Sequence, residues 1–578
     1  MQDPSARGVS EPTPSPGAPP IDRRQFLQLA AAGGAGLALA SLSGGAADAA
    51  TRHKGKKVPA KAKRHQGKGK SLPAVQQTRL ASGVIVPTAT WLIEENNQPG
   101  TLDWIVTHNQ PDHTLEGFAS QVSAVAGDDL TLHINTTAQA VQVQAYRMGY
   151  YYGLGGRLVH QSDMVAAGAQ PAPTVTPGVG IVSCANWSPT LTLSIDQTWP
   201  PGCYLLKLVG NAGQEQYIPL TIRNDASTAA YVIQNSVTTW QAYNLYGSYS
   251  LYYGPTGRGG QAFANRARAV SFDRPYPQTW ASGAADFMGN ELPLLYNLER
   301  LGLDLTYATD VDLHANPAYL LKHKCLFSLG HDEYWSQSMR NGAAFASGSG
   351  VNLAFLGANA CYRQIRMQPT SIGPNRLQVC YKDATEDPMA TQDPSLTTVN
   401  WIQAPLNDPE SSLIGSMYQS VGAVADMVVT DPDSWFFDGC NLTEGQALPN
   451  MIIGEYDRYV PSLPGPRNLD VLAHSPIPGQ RNWSDLTYYT APGQGGGVLA
   501  SGSAYFVYRL SNSTLIPPNV LPAAIPGETE LLNRAMENLY AQFGQGPASA
   551  NGTSGSNWSS IYAGSAAQLG SAQATNTA

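Results

Sequence analysis

The residues best suited to chemistry are gathered in one short run, Gly330-His331-Asp332-Glu333-Tyr334-Trp335-Ser336. An imidazole and a carboxylate two positions apart can bind a metal or share acid and base work. A free imidazole titrates near ~6.5, so His331 is suited to taking a proton from water or giving one to a leaving group. A structural reading competes with this one. Asp332 and Glu333 also lie where the N-terminus of a following helix favours negative charge. A further reading pairs Asp310 or Asp312 with Glu333 as the two carboxylates of a glycosidase-like hydrolase.

The flanking residues supply the frame. Residues 324–329 form an apolar run of strand length, 335–346 carry a helical apolar face, and 351–356 read as a second strand. Strand, helix and strand over so short a stretch predict a βαβ unit with parallel strands. His331 and Glu333 then stand at the carboxyl end of the first strand, where open α/β sheets hold their ligands. Further strands are expected at 229–234, 304–309, 451–454, 469–473 and 498–500, with helices at 291–301 and 531–543. This alternation predicts an α/β domain over 225–545 with a largely parallel sheet. Residues 80–224 differ. Runs such as 129–135, 141–145 and 190–195 alternate apolar and polar residues between Gly- and Pro-rich turns, which predicts an all-β sandwich of immunoglobulin type. Residues 546–578 are Ser, Gly, Ala, Asn and Thr without pattern and are expected to form a disordered tail.

The amino end reads as an address. Arg23-Arg24-Gln25-Phe26-Leu27 opens an apolar run to about residue 42, and Ala47-Asp48-Ala49 offers a small-residue cleavage site. This order marks a secretory signal over 1–49, and the paired arginines resemble a twin-arginine export signal. The run is short and Gly/Ala-rich for a membrane span, so the membrane is met only during export. Residues 50–79 are expected to be a disordered basic linker. The net charge of −8 conceals a split, because residues 81–578 hold 21 Lys and Arg against 38 Asp and Glu, a balance of −17. So acidic a body argues against nucleic acid as a partner. Six cysteines in an exported chain permit disulfides, with Cys184–Cys203 and Cys361–Cys380 as the natural short loops.

Four motifs then occur in order: Trp240-Gln241-Ala242-Tyr243-Asn244, Ser271-Phe272-Asp273-Arg274-Pro275-Tyr276, the run at 330–336, and Asn359-Ala360-Cys361-Tyr362. Together they resemble the catalytic domain of the large subunit of N,N-dimethylformamidase, over about 225–545. The resemblance implies a glutamine-amidotransferase-like α/β domain without that fold's cysteine nucleophile, preceded by an accessory β domain. It implies an amidohydrolase in which one Fe(3+) is held by two tyrosines and a glutamate, assisted by a histidine and a second glutamate. Carried onto this chain, Glu333 and Tyr243 become metal ligands and His331 the catalytic histidine. Tyr252 is the second tyrosine, with Tyr253 and Tyr276 as rivals. Glu455 is the second acid, with Asp470 as its rival. The implied substrate is a small-molecule or extracellular amide, and oligomerisation stays open. The alternative is a non-catalytic exported binding protein on the same scaffold.

Overall fold

The computed structural model describes residues 75–108, 110–256, 263–510 and 527–563. The export signal and nearly all of the linker lie outside these residues, as do residues 564–578 of the expected tail. The described residues belong to one compact unit.

Its centre is a seven-stranded sheet. In chain order the strands are β1 (Tyr231–Asn235), β2 (Leu305–Thr309), β3 (Cys325–Gly330) and β4 (Asn352–Gly357). After them come the long pair β5 (Met417–Val428) and β6 (Ala447–Arg458), which form their own hairpin, then β7 (Leu469–Pro476), β8 (Trp483–Thr490) and β9 (Gly497–Ala500). The order across the sheet is β2-β1-β3-β4-β9-β8-β7. The first five pair in parallel and the last two antiparallel. The parallel strands are buried throughout, as their unbroken apolar sequences require when both faces are covered.

The expected βαβ unit is present, with one difference. Its helix, Gln337–Gly348, starts after a short strand, Tyr334–Ser336, and is capped by the Ser336 side chain on the Met339 amide. Asp332 and Glu333 therefore precede the helix by a strand and do not cap it, which removes the helix-dipole account of their charge. Asp310 and Asp312 open a helix of their own, Asp310–Ala315, with Thr309 as its N-cap. Asp312 completes a capping box with Thr309, and Asp310 accepts from the Thr238 amide at 3.1 Å. Both are engaged in holding the fold, which leaves the paired-carboxylate reading without its second acid.

The N-terminal strands form two facing sheets. One orders Leu191–Ser194, Asp129–Thr136 and Leu115–Ala119. The other runs Ser123–Val125, Glu215–Arg223, Gly202–Gly210, Ala140–Met148 and Gly156–Gln161. Leu130, Leu132, Val141, Val143, Leu206 and Leu208 fill the space between them. The chain boundary near residue 225 is not a boundary in the core. Tyr146, Met148 and Leu205 from the strands pack in one cluster with Tyr231, Trp240 and Leu295 from the α/β layers.

Three expectations need correcting. Val75–Arg79, assigned to the linker, pairs as a strand with Ile85–Ala89. Residues 546–563, assigned to the disordered tail, are fastened down: Asn352 donates to the Gly546 carbonyl at 2.6 Å, and Tyr562 donates to Asp485 at 2.5 Å. Low apolar content misled there, because the segment docks by hydrogen bonds and the rings of Trp558 and Tyr562. Finally, all six cysteines are free thiols. The members of each expected pair sit in different clusters, Cys184 and Cys203 in two, Cys361 and Cys380 in two more.

Candidate active site

Four chain segments meet at the carboxyl end of β3. The helix Val237–Tyr243 follows β1 and ends on Tyr243; the loop after it carries Tyr252; the turn after β3 carries His331 and Glu333; β6 carries Glu455. The turn can be this tight because Gly330 has φ +55° and a Cβ there would lie 2.5 Å from the Asn290 Cβ. The Thr239 hydroxyl then fixes the turn by accepting from the Glu333 amide at 2.9 Å.

Glu333 is the hub. Tyr243 donates to its Oε2 at 2.8 Å, and Tyr252 donates to Oε1 and Oε2 at 2.7 and 2.8 Å. The two phenol oxygens are 2.9 Å apart and the rings stack. Arg363 Nε reaches Oε1 at 2.9 Å, while His331 Nε2 stands 3.5 Å from Oε2 and 2.9 Å from Glu455 Oε2. Three oxygen-bearing side chains thus converge on one point, with an imidazole and a second carboxylate beside them.

Charge states follow from the surroundings. Burial pushes both phenols, Tyr243 and Tyr252, well above the usual tyrosine range, and the Glu333 carboxylate adds to this. Burial also opposes ionisation of Glu333, but Arg363, His331 and Lys382 outweigh it and hold the carboxyl below its usual range. Burial would neutralise His331, yet the Glu455 and Glu333 carboxylates push it up to about 10. Without a cation the cluster is therefore two neutral phenols donating into a carboxylate, flanked by an imidazolium.

His331, Tyr243 and Glu455 face a cleft of about 490 Å³, whose wall also includes Trp240, Trp280 and Tyr505. Among the rival residues, Tyr253 lines this cleft, its ring centroid 6.4 Å from that of Tyr252. Tyr276 packs edge-on against Trp280 and gives its carbonyl to Gln216. Asp470 is remote in function, accepting from the amides of Gly555 and Ser556 at 2.7 Å each. Tyr243, Tyr252, His331, Glu333 and Glu455, the residues carried over from the resemblance, are the ones brought together.

Sequence reasoning missed others. Arg363 directly follows Asn359-Ala360-Cys361-Tyr362, and its strand runs parallel to Tyr334–Ser336, so the motif's edge was a usable signal. Lys382 had none. Its Nζ lies 3.1 Å from the centroid of the Tyr252 ring and 5.3 Å from that of Tyr334. Burial, reinforced by Arg363, holds this amine well below the usual lysine range. Asp286 and Asn290 on the cleft wall were also without a sequence signal.

Among the described residues no group of three or more His, Cys, Asp and Glu side chains gathers as a metal site. The converging donors here are two phenols and one carboxylate, a set that such a grouping does not contain.

Two family models match the chain. A family model described as N,N-dimethylformamidase beta subunit-like, C-terminal, matches residues 142–518. A model of the twin-arginine translocation pathway signal matches residues 20–40. No curated protein matches the chain. The chain is thus addressed for twin-arginine export, and no helix among the described residues is long and apolar enough to cross a membrane.

Proposed function

The chain belongs to the N,N-dimethylformamidase beta subunit-like family, and from that premise we propose that it is an exported, iron-dependent hydrolase of amide C–N bonds. The observation that carries the reading is the convergence of Tyr243, Tyr252 and Glu333 oxygens within 2.7–2.9 Å of one another beside an open cleft. Tyr243, Tyr252 and Glu333 would hold a hard cation through these converging oxygens. The donor chemistry fits as well. Phenolate and carboxylate oxygens suit a hard trivalent ion, and two phenolates with one carboxylate balance its charge. Tyrosines so strongly held in their neutral form become phenolates only if a cation displaces their protons.

A bound ferric ion supplies Lewis-acid polarisation of the amide carbonyl. The remaining work belongs to the chain. Glu333 and the two tyrosines fix the ion, and Arg363 fixes Glu333. Glu455 takes a proton from water as the water oxygen bonds to the carbonyl carbon. His331, kept as imidazolium by its two carboxylate neighbours, gives its proton to the nitrogen as the C–N bond breaks. The products are a carboxylic acid and an amine. The same reading assigns the seven-stranded sheet to a glutamine-amidotransferase-like domain and the N-terminal strands to an immunoglobulin-like accessory domain. Five parallel strands in the one and two facing sheets in the other support it.

One observation favours the alternative of a non-catalytic binding protein: Arg363 already offers Glu333 positive charge without any metal. Metal analysis together with amide hydrolysis separates the readings. The hydrolase reading expects bound iron and turnover, both lost in Glu333→Ala; a metal-free preparation, or a Glu333→Ala variant of unchanged activity, would remove it.

A further inference from the structure

The wall of the cleft also carries a polar pair, Asp286 and Asn290, to which the hydrolytic steps assign no role. Asp286 precedes, and Asn290 lies within, a π-helical turn, Phe287–Glu291, a backbone form frequent at functional sites. The Asn290 amide donates to Asp286 Oδ2 at 2.5 Å, which fixes its orientation, because a carboxylate can only accept. Asn290 is 5 % exposed, and its Oδ1 has no hydrogen-bond partner among the described residues. A buried carbonyl oxygen left unpaired costs free energy unless a ligand donor reaches it. Around this pair the cleft is apolar and aromatic, with Trp240, Trp280, Tyr253 and Tyr505, and with Val421 of β5 standing 59 % exposed at the rim. Gly454 keeps the space open to Tyr505: a Cβ there would lie 2.9 Å from that ring.

Size points the same way. At roughly 30 Å³ per heavy atom of liquid, an amide as small as N,N-dimethylformamide fills on the order of 150 Å³. The cleft offers about 490 Å³. A tertiary formamide also has no N–H to give to Asn290.

We propose that this cleft selects a primary or secondary amide bearing an aromatic or branched apolar group, with its N–H donated to Asn290 Oδ1 and its apolar group against Trp240, Trp280 and Tyr505. The proposal rests on the amide-hydrolase reading of the site and names the substrate class for it.

Three probes test it on the mature protein: N-benzylformamide, its N-methylated counterpart N-benzyl-N-methylformamide, and N,N-dimethylformamide. Calorimetric titration reads binding, and product analysis on the same samples reads hydrolysis. The expected result is about tenfold tighter binding of N-benzylformamide than of its N-methyl counterpart, with N,N-dimethylformamide weakest. Asn290→Leu should bring the first ratio towards unity; the wild-type ratio stands as a test even if that variant does not fold. Equal or tighter binding of the N-methyl compound, tightest binding of N,N-dimethylformamide, or no binding of any probe overturns the proposal. Selective binding without hydrolysis supports this subsite and counts against the hydrolase reading. Hydrolysis without selectivity does the reverse.

Discussion

Arg147 and Glu299 make the closest relative, within this molecule, of the cluster around Glu333. Both clusters join a glutamate, an arginine and two tyrosines. At the first, the guanidinium grips both carboxylate oxygens at 2.8 and 2.9 Å, Tyr307 donates to Glu299 at 2.6 Å, and Arg147 reaches Tyr151 at 2.9 Å. Tyr151 passes the chain on to Glu95 at 2.6 Å. Arg147 and Glu299 are fully buried, and they tie a strand of the N-terminal sheets to the helix Leu292–Arg300. At the second, Arg363 spends only one nitrogen on Glu333, the two phenols face each other as well as the carboxylate, and the cleft lies alongside. The first network satisfies itself and holds two layers together. The second sets Tyr243, with His331 and Glu455 beside it, on the wall of a cleft. Side-chain type does not separate a structural network from a site; access and incomplete pairing do.

The contrast can be broken by substitution. Glu333→Ala should have the largest effect, with loss of both bound iron and amide turnover while circular dichroism still reports a folded chain. His331→Ala should keep the iron and lower kcat by about 10²–10⁴-fold, as expected for removal of a positioned proton donor; a kcat within twofold of wild type would detach His331 from the chemistry. Arg147→Met should do the opposite. It leaves Glu299 buried and unpaired, so denaturant unfolding should show about 3–5 kcal/mol of lost stability, with iron content per folded molecule unchanged.

The smallest effect is a pH dependence. His314 meets the Ser336 hydroxyl through Nδ1 at 2.8 Å, at the far end of the motif from His331, and burial holds its imidazole down to about 4. A base with a lowered folded pKa contributes stability above its ordinary value near ~6.5, and loses it as pH falls through the folded value. His314 should therefore lower the melting temperature between about pH 6.5 and 4, as should His323, which burial also holds down to about 4, and His314→Gln should remove the first share. The Arg147 guanidinium adds nothing in this window, because Glu299, Tyr151 and Tyr307 push its pKa well above the ordinary value despite its burial. An unchanged acid limb in His314→Gln would refute the assignment.

The two clusters also differ in how far the sequence announced them. His331 and Glu333 stood out because a short polar run followed an apolar strand, Tyr243 entered through an ordered motif, and Tyr252 and Glu455 entered only through the family resemblance around them. Arg147 and Glu299 lie 152 positions apart in unremarkable strand and helix sequence, and only the packing of the two layers brings them together. The same limit hid Lys382, Asp286 and Asn290, whose roles depend on which surfaces meet. The parallel strands were readable because burial on both faces leaves continuous apolar runs. The docked segment after residue 546 was not, because polar backbone bonds and a few aromatic rings hold it without periodicity.

Visible absorption of the purified mature protein, read beside its iron content, tests the central claim most directly. Phenolates bound to ferric iron absorb in the visible, so wild type should carry iron and a band that weakens in Tyr243→Phe and in Tyr252→Phe and vanishes in the double variant. An iron-containing wild type whose band survives the double substitution, or an active wild type with no iron, would contradict the account.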